Sequence, residues 1–481
     1  MTSSPFATFT IEVEQDGQTA IQALQPAIEA AAEALRQNQD PLTAFESMLA
    51  RADHETRPLL RLDASDDASP VSDGVLFPTQ TICGLTIRAS GHTPFRTDFA
   101  GISVVSDYLR CAVSGQFSHD DLFEAQPELT HFLASTSGLV STPRSPRRGN
   151  ESGIFRMQHA GLLYQSETTR ILVDPHFHST YAPRMSTVFG AAEFCDEVDA
   201  VLISHSHSDH FSLSSLLFLP RDTLFIVPDV PHASLLCPDM AEQLRQLGFT
   251  NVKTPEWYDD AITVGDIEVF ALPFYGEQPL ASTVWSDVRA RNWGNTYYLR
   301  TPAFTSLVLI DSGNDPHGNM LQVAEYVRSN LGPVDYLLSS LGEFHVGASG
   351  PRYIVPSGAY FLTLSRAQIQ NFASLRGESL TLGPRGVAEC CRACDARYFL
   401  PYAHWWGEPY AKTGQEQSLL PLLARALRAE GNTTTMVPWH IGERVVGNAD
   451  DAVYLAGPAA SARPVPVASF AKLTDERWGQ A

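Results

Sequence analysis

Three histidines and one aspartate stand within six positions of "VLISHSHSDHFSLSSL", as His205, His207, Asp209 and His210. Imidazole nitrogens and carboxylate oxygens are side-chain donors that hold divalent metals. His205 and His207 lie two residues apart, so on extended backbone their side chains leave one face and reach the same ion. Asp209 and His210 follow the turn and reach toward a second ion. A polar loop with chance histidines would not concentrate four ligand-type residues so tightly. The donors that complete each set decide the chemistry, which is hydrolysis by metal-bound hydroxide or oxygen activation at redox-active ions.

Such a loop needs a frame. "VDAVLI" delivers the chain to it as a buried strand, and α/β folds place sites at the carboxyl ends of such strands. "GLLYQSETTRILVDPHF" reads as two β-runs around a polar turn. "DTLFIVPDV", "IEVFALPFYGE", "NTYYLRTPAFTSLVLIDSG" and "PVDYLLSSLGE" continue the series, with "CPDMAEQLRQLGF" and "MLQVAEYVRSNLG" as helices between them. This alternation predicts one layered α/β domain over residues 151–450.

Residues 1–150 read as a smaller, mainly helical domain for binding or dimerisation. Ile21, Leu24, Ile28, Ala31 and Leu35 share one helical face, and Pro26 predicts a kink or a fresh helix start. "PLTAFESMLARA" follows as a short helix opening on Pro41. The apolar face fits a small core or, alternatively, a homodimer seam. "ELTHFLASTSGLVST" has a winged-helix-like look, a helix running into a β-wing. "TPRSPRRGNESG", residues 142–153, reads as the linker, and residues 451–481 as a surface-wrapping tail.

A length of 481 residues exceeds one ordinary core. The chain carries 33 Lys+Arg against 54 Asp+Glu, a formal net charge of −21. That balance argues against a nucleic-acid partner, whose phosphates need a basic footprint, and against an anionic membrane surface. The opening segment lacks a basic, apolar leader, and no apolar run is long enough to span a bilayer. With seven scattered cysteines, a reducing cytoplasm is the expected setting. Cys391-x-x-Cys394 has no second pair and reads as structural.

The run His205-x-His207-x-Asp209-His210 is the H-x-H-x-D-H signature of the metallo-β-lactamase superfamily, and the chain resembles its lactonase-like branch over most of residues 154–445. "QHAGLLYQSETTRILVDPHF" looks like the superfamily's opening hairpin. The resemblance implies an αββα sandwich with a dinuclear site at one edge. It adds Asp311, in "SLVLIDSGND", as the bridging aspartate, and His404, in "RYFLPYAHWWGE", as the last histidine.

After "DIEVFALP" most members carry a histidine, whereas here "ALPFYGEQPL" places Glu277. Either a ligand has been lost or imidazole has been exchanged for carboxylate, and the filled positions elsewhere favour exchange. The implied sets are His205, His207 and Glu277 for one metal, and Asp209, His210 and His404 for the other, with Asp311 between. Two histidines and a carboxylate suit ferrous iron with positions open to dioxygen.

The same substitution is found in the diiron β-hydroxylase branch that serves chloramphenicol biosynthesis. The resemblance therefore implies a non-haem diiron monooxygenase holding two iron ions, with Glu277 and Asp209 closest to the catalysis. It would use dioxygen to hydroxylate or N-oxygenate an amino-acid-like substrate, free, in a peptide or on a carrier protein. Two external electrons imply a ferredoxin or reductase partner. The alternative is a dinuclear zinc or manganese hydrolase, a lactonase or phosphodiesterase. A non-catalytic scaffold with structural metals is the third reading.

Ligating histidines need their second ring nitrogen held. Asp174, in "ILVDPHF", is the natural holder, or simply an Asp-Pro turn. His159 stands before the first strand and lines the site or fills the core. His176 and His178 follow Asp174 toward the pocket. Glu343 and His345 are candidate substrate contacts, with Tyr402, Trp405 and Trp406 as pocket walls or core.

Overall fold

The apolar runs form strands buried on both faces. In β13 (Thr305–Ile310) Leu307 and Leu309 enter one core while Val308 and Ile310 enter another. In β6 (Arg170–Val173) Ile171 and Val173 share that second core and Leu172 faces a third. A period of two with no polar face is what a strand between two covered layers requires. Each fully buried leucine or valine contributes about 1.5–3 kcal/mol of transfer free energy.

The computed structural model of the protein describes residues 9–16, 18–51, 57–61, 65–89, 91–114, 127–135, 152–176, 198–278, 287–343, 345–346, 353–354, 358–372, 379–403, 416–439, 441–446, 454–456 and 463–464. Two sheets face each other. The first has nine strands, with β4 (Gly153–Arg156), β5 (Leu162–Gln165), β6, β7 (Ala200–Leu202), β8 (Leu224–Ile226) and β9 (Val252–Lys253) in spatial sequence. Strands Arg444–Val446, Tyr454–Ala456 and Arg463–Pro464 extend its β4 edge. The second has seven strands, running from β10 (Ile262–Val264) through β11 (Ile267–Pro273), β12 (Asn295–Arg300) and β13 to Tyr336–Ser339, Tyr398–Pro401 and Thr435–Met436.

The core between the sheets joins Ile154, Leu162, Tyr164 and Ile226 to Val269, Tyr297, Val308 and Leu338. Outside the second sheet, Leu272, Leu307 and Leu309 pack on Met320 and Val323 of helix Met320–Tyr326 and on Val387 and Cys391 of helix Gly383–Ala393. The layering is αββα. Cys390, Cys391 and Cys394 are buried and unbridged, and burial pushes their thiols above the usual range, as expected for structural cysteines.

The amino-terminal region combines helices with a three-stranded antiparallel sheet of β1 (Phe9–Gln15), β2 (Ile82–Ala89) and β3 (Phe95–Asp98). Helix α1 (Gln18–Arg36) runs unbroken through Pro26, so the expected restart does not occur. Helix α2 (Pro41–Leu49) begins at Pro41, and the Asp40 carboxylate accepts from the Leu42 amide at 3.0 Å.

The predicted face of α1 is buried, but within the chain. Leu24, Ile28, Ala31 and Leu35 share a core with Phe45, Phe361, Leu364, Ile369 and Phe372. The sheet β1–β3 and helix Phe99–Ser114 likewise share a core with Leu172, Val201 and Phe225 of the nine-stranded sheet. Helix Pro127–Ser135 is present, while the β-wing expected after it and residues 142–151 of the linker lie outside the described residues. No helix among the described residues is long and apolar enough to cross a membrane.

Candidate metal centre

β7 ends at Leu202, and the histidine loop begins three residues later at the rim of the nine-stranded sheet. Here the loop touches the other sheet. His205 forms a bridge to Gly294, and the Asn295 amide donates to the Ser204 carbonyl at 2.7 Å. A side chain at Gly294 would meet Phe274 and the Ser204 carbonyl within 3 Å, so glycine is required for this approach. Glu277 follows β11 and Asp311 follows β13, so the donors come from both sheets.

Two groups of donors result. His205, His207 and Glu277 form one, and His159, His210 and Asp311 the other. In the first, Glu277 Oε2 lies 2.8 Å from His207 Nδ1 and 3.3 Å from His205 Nε2. His205 Nε2 lies 3.0 Å from His207 Nδ1. In the second, His210 Nε2 lies 2.9 Å from Asp311 Oδ2. Asp209 Oδ2 is 3.0 Å from His159 Nε2 and 3.9 Å from His210 Nε2. His205 and His210 link the groups, with ring centroids 4.1 Å apart.

The far ring nitrogens are held as metal ligation needs. Asp174 is fully buried, and its carboxylate accepts from the Ser204 amide at 2.7 Å, the Ser204 hydroxyl at 2.5 Å and His210 Nδ1 at 2.9 Å. Because the Ser204 proton goes to Asp174, the hydroxyl accepts from His205 Nδ1 at 2.9 Å. Both histidines thus turn Nε2 toward the centre, the nitrogen an ion would take. Asp174 holds His210 Nδ1 and is also the aspartate of the Asp174-Pro175 step.

Charge and burial oppose each other across the cluster. Burial, then the charges of His210 and His207, lower the His205 pKa. Burial works against protonated His207 too, but the Glu277 charge outweighs it and raises the pKa. His210 is raised well above the usual range, since Asp209, Asp174 and Asp311 overcome burial. Burial alone would raise Glu277 and Asp209, yet the facing histidines hold both carboxylates far below the usual range. Without metal the cluster retains protons on His207 and His210 that an ion would displace. His207 and Asp209 are the most open of these side chains, 28% and 34% exposed against 13% or less for His205, His210, Glu277 and Asp311. Solvent therefore reaches the cluster from their side.

The backbone is strained at the same place. Of eight non-glycine residues with positive φ among the described residues, five are here: His159, Asp174, Glu277, Ile310 and Ala403. Left-handed backbone costs a non-glycine residue about 1–3 kcal/mol and persists where surroundings enforce it. At Glu277, with φ of 48°, the amide donates to Leu380 O at 2.9 Å. The adjoining Gly276 amide donates to Asp315 Oδ2 at 3.3 Å, and Asp315 pairs with buried Arg291 at 3.1 Å.

The structure sorts the residues singled out in the sequence. His159, read as lining the site or filling the core, lies in the second donor group. Asp209 contacts it more closely than it contacts His210. Asp311 sits against His210. His404, Trp405, Trp406 and His178 lie outside the described residues, as does the His345 side chain, whose backbone forms a two-residue strand. His176 is buried, with its carbonyl accepting from Gln158 at 2.6 Å, and joins neither group. Glu343 turns its stem toward Gly383 and joins neither group. Tyr402 is wholly buried in the core between the sheets. Sequence reasoning did not single out Ser204, present in the quoted loop, or Tyr360, which lies 2.5 Å from His207 Nε2.

Residues 154–274 match the family model described as the beta-lactamase superfamily domain. With two sheets, flanking helices and paired donor groups at the seam, the chain has the metallo-β-lactamase fold. It is similar to a 4-amino-L-phenylalanyl-(CmlP-peptidyl-carrier-protein) 3-hydroxylase of Streptomyces venezuelae, 29% identical over 238 residues, or 48% of this chain and 42% of the relative. The alignment thus spans less than half of that relative's length. The crystal structure of CmlA, a diiron beta-hydroxylase from Streptomyces venezuelae, superposes with a TM-score of 0.56 over 90% of this chain and 98% of that one, at 19% identity. A UPF0173 protein of Pyrococcus furiosus is 27% identical over 35% of this chain and 74% of its own.

Proposed function

We propose that the protein is a non-haem diiron oxygenase that hydroxylates or N-oxygenates an amino-acid-like substrate. Glu277 carries this reading. Its carboxylate stands beside His205 and His207, giving two imidazoles and one carboxylate where an all-imidazole set would suit zinc. Asp209 and Asp311 raise the share of hard oxygen donors, which favours iron over softer-ligand metals. When bound, an iron pair supplies the redox equivalents that dioxygen cleavage needs.

The chain's own residues do the rest. Asp174 and Ser204 fix which histidine nitrogens face the ions, and the exposed side of His207 and Asp209 admits substrate. His404 would complete the second set, with Asp311 between the ions. The Streptomyces venezuelae relative, named for a carrier-bound aminophenylalanyl group, supports a tethered amino acid as substrate. Residues 1–150 would then serve substrate docking or dimerisation, and an external ferredoxin or reductase would supply electrons.

The test is metal analysis of the purified protein, followed by anaerobic reduction and exposure to dioxygen. About two irons per chain and substrate-dependent oxygen uptake are expected. Full activity with zinc alone would overturn the reading. Glu277→His separates the classes further: an oxygenase loses oxygen uptake, while a hydrolase keeps or gains hydrolytic activity.

A further inference from the structure

Tyr360 reaches the first donor group from helix Gly358–Leu362, 153 positions along the chain from His207. Its hydroxyl lies 2.5 Å from His207 Nε2 and 3.0 Å from the Glu277 carbonyl oxygen. A phenol has one proton to give, and a carbonyl oxygen can only accept. With the proton on the Glu277 carbonyl, the hydroxyl oxygen accepts from His207 Nε2–H. Asn292 Nδ2, at 3.5 Å from the same nitrogen, is a weak competitor. His207 then keeps a bare Nδ1, the atom that faces Glu277 Oε2 and His205 Nε2.

One hydroxyl thus grips the ring of one donor and the left-handed peptide of another. The next residue, Phe361, is buried against Phe45 of α2 with ring centroids 5.3 Å apart, in the core that α1 and α2 share with Leu362, Leu364, Ile369 and Phe372. The amino-terminal helices therefore hold the element that carries the hydroxyl.

We infer that Tyr360 is a positioning residue for the metal centre, setting the His207 tautomer and the Glu277 backbone from a core built by the amino-terminal helices. The inference rests on the metal-centre reading, though not on whether the reaction is oxygenation or hydrolysis.

The test is cobalt(II) binding by wild type and Tyr360→Phe, followed by visible absorption and chelator competition, alongside melting of the metal-free proteins. Loss of one held partner typically weakens metal affinity about 10–100-fold. The variant is expected to bind one of its two ions that much more weakly, with an altered cobalt spectrum and metal-free melting within a few degrees of wild type. Wild-type affinity and spectrum in the variant would overturn the role of Tyr360. A wild type that takes up no cobalt would overturn the metal-centre reading beneath it. Should the variant not fold, ¹⁵N-histidine resonances of zinc-loaded wild type decide: a protected His207 Nε2–H supports the inference, and protonation at Nδ1 refutes it.

Discussion

Asp174→Asn isolates the carboxylate at the root of the histidine loop. Asparagine tolerates the left-handed backbone that Asp174 adopts at φ of 41°, so the exchange adds little strain. One amide oxygen still accepts from the Ser204 N–H. The amide nitrogen then faces the Ser204 hydroxyl and His210 Nδ1, both donors to the native carboxylate. Two charge-assisted bonds are lost at a site without solvent. At about 1.5–3 kcal/mol each, and with Ser204 free to redirect its proton, the loss comes to about 3–4 kcal/mol. For a domain of this size that lowers the melting temperature by about 6–10 °C. His210 also loses the partner that fixes its tautomer, so metal affinity falls about 10–100-fold. Thermal melting of the metal-free protein and chelator competition of the loaded one measure the two effects. A melting shift below about 2 °C with unchanged affinity would refute the reasoning.

Asp315→Ala removes a charged partner of buried Arg291 and the acceptor for the Gly276 amide, and should cost about 3–5 kcal/mol in chemical denaturation. Phe45→Ala, in the core shared with Phe361, should cost a similar 3–5 kcal/mol by the same assay. The cluster also sets a pH dependence. Glu277 and Asp209 have depressed values, so their contribution to metal-free stability is present above about pH 4 and lost as pH falls further. His207 and His210 have raised values, so theirs is present below about pH 6.5 and lost as pH climbs through the raised values. Metal-free melting should therefore decline as pH climbs above about 6.5 while metal affinity rises, and a flat metal-free profile would contradict the assignment.

The histidine loop was legible because its information is local: four donor residues in six positions suggest metal binding without the fold. The strands were legible because burial on both faces leaves continuous apolar runs such as "RILV" and "TSLVLI". Glu277 was legible only against an expected histidine. Tyr360 was not, since its neighbours "SGAYFLTLS" read as any half-buried helix and its partners are remote in sequence. The amino-terminal sheet escaped for a similar reason, because β1 finds its partner β2 some seventy residues on, from Phe9 paired with Ala89 to Gln15 with Ile82. Nor does sequence periodicity say what covers an apolar helix face, and the stripe on α1 looked as ready for a second subunit as for Phe361.

The donors from two sheets give the centre a mechanical meaning. His159, His205, His207, Asp209 and His210 ride on the nine-stranded sheet, and Glu277 and Asp311 on the seven-stranded one. Ions bound among them would rivet the rims of two plates whose inner faces are held mostly by non-directional apolar contact. Such a rivet would close where five of the left-handed non-glycine residues gather, so loading and rigidity would rise together. A chain of this design would become fully stiff at its reactive rim only when it is also chemically competent.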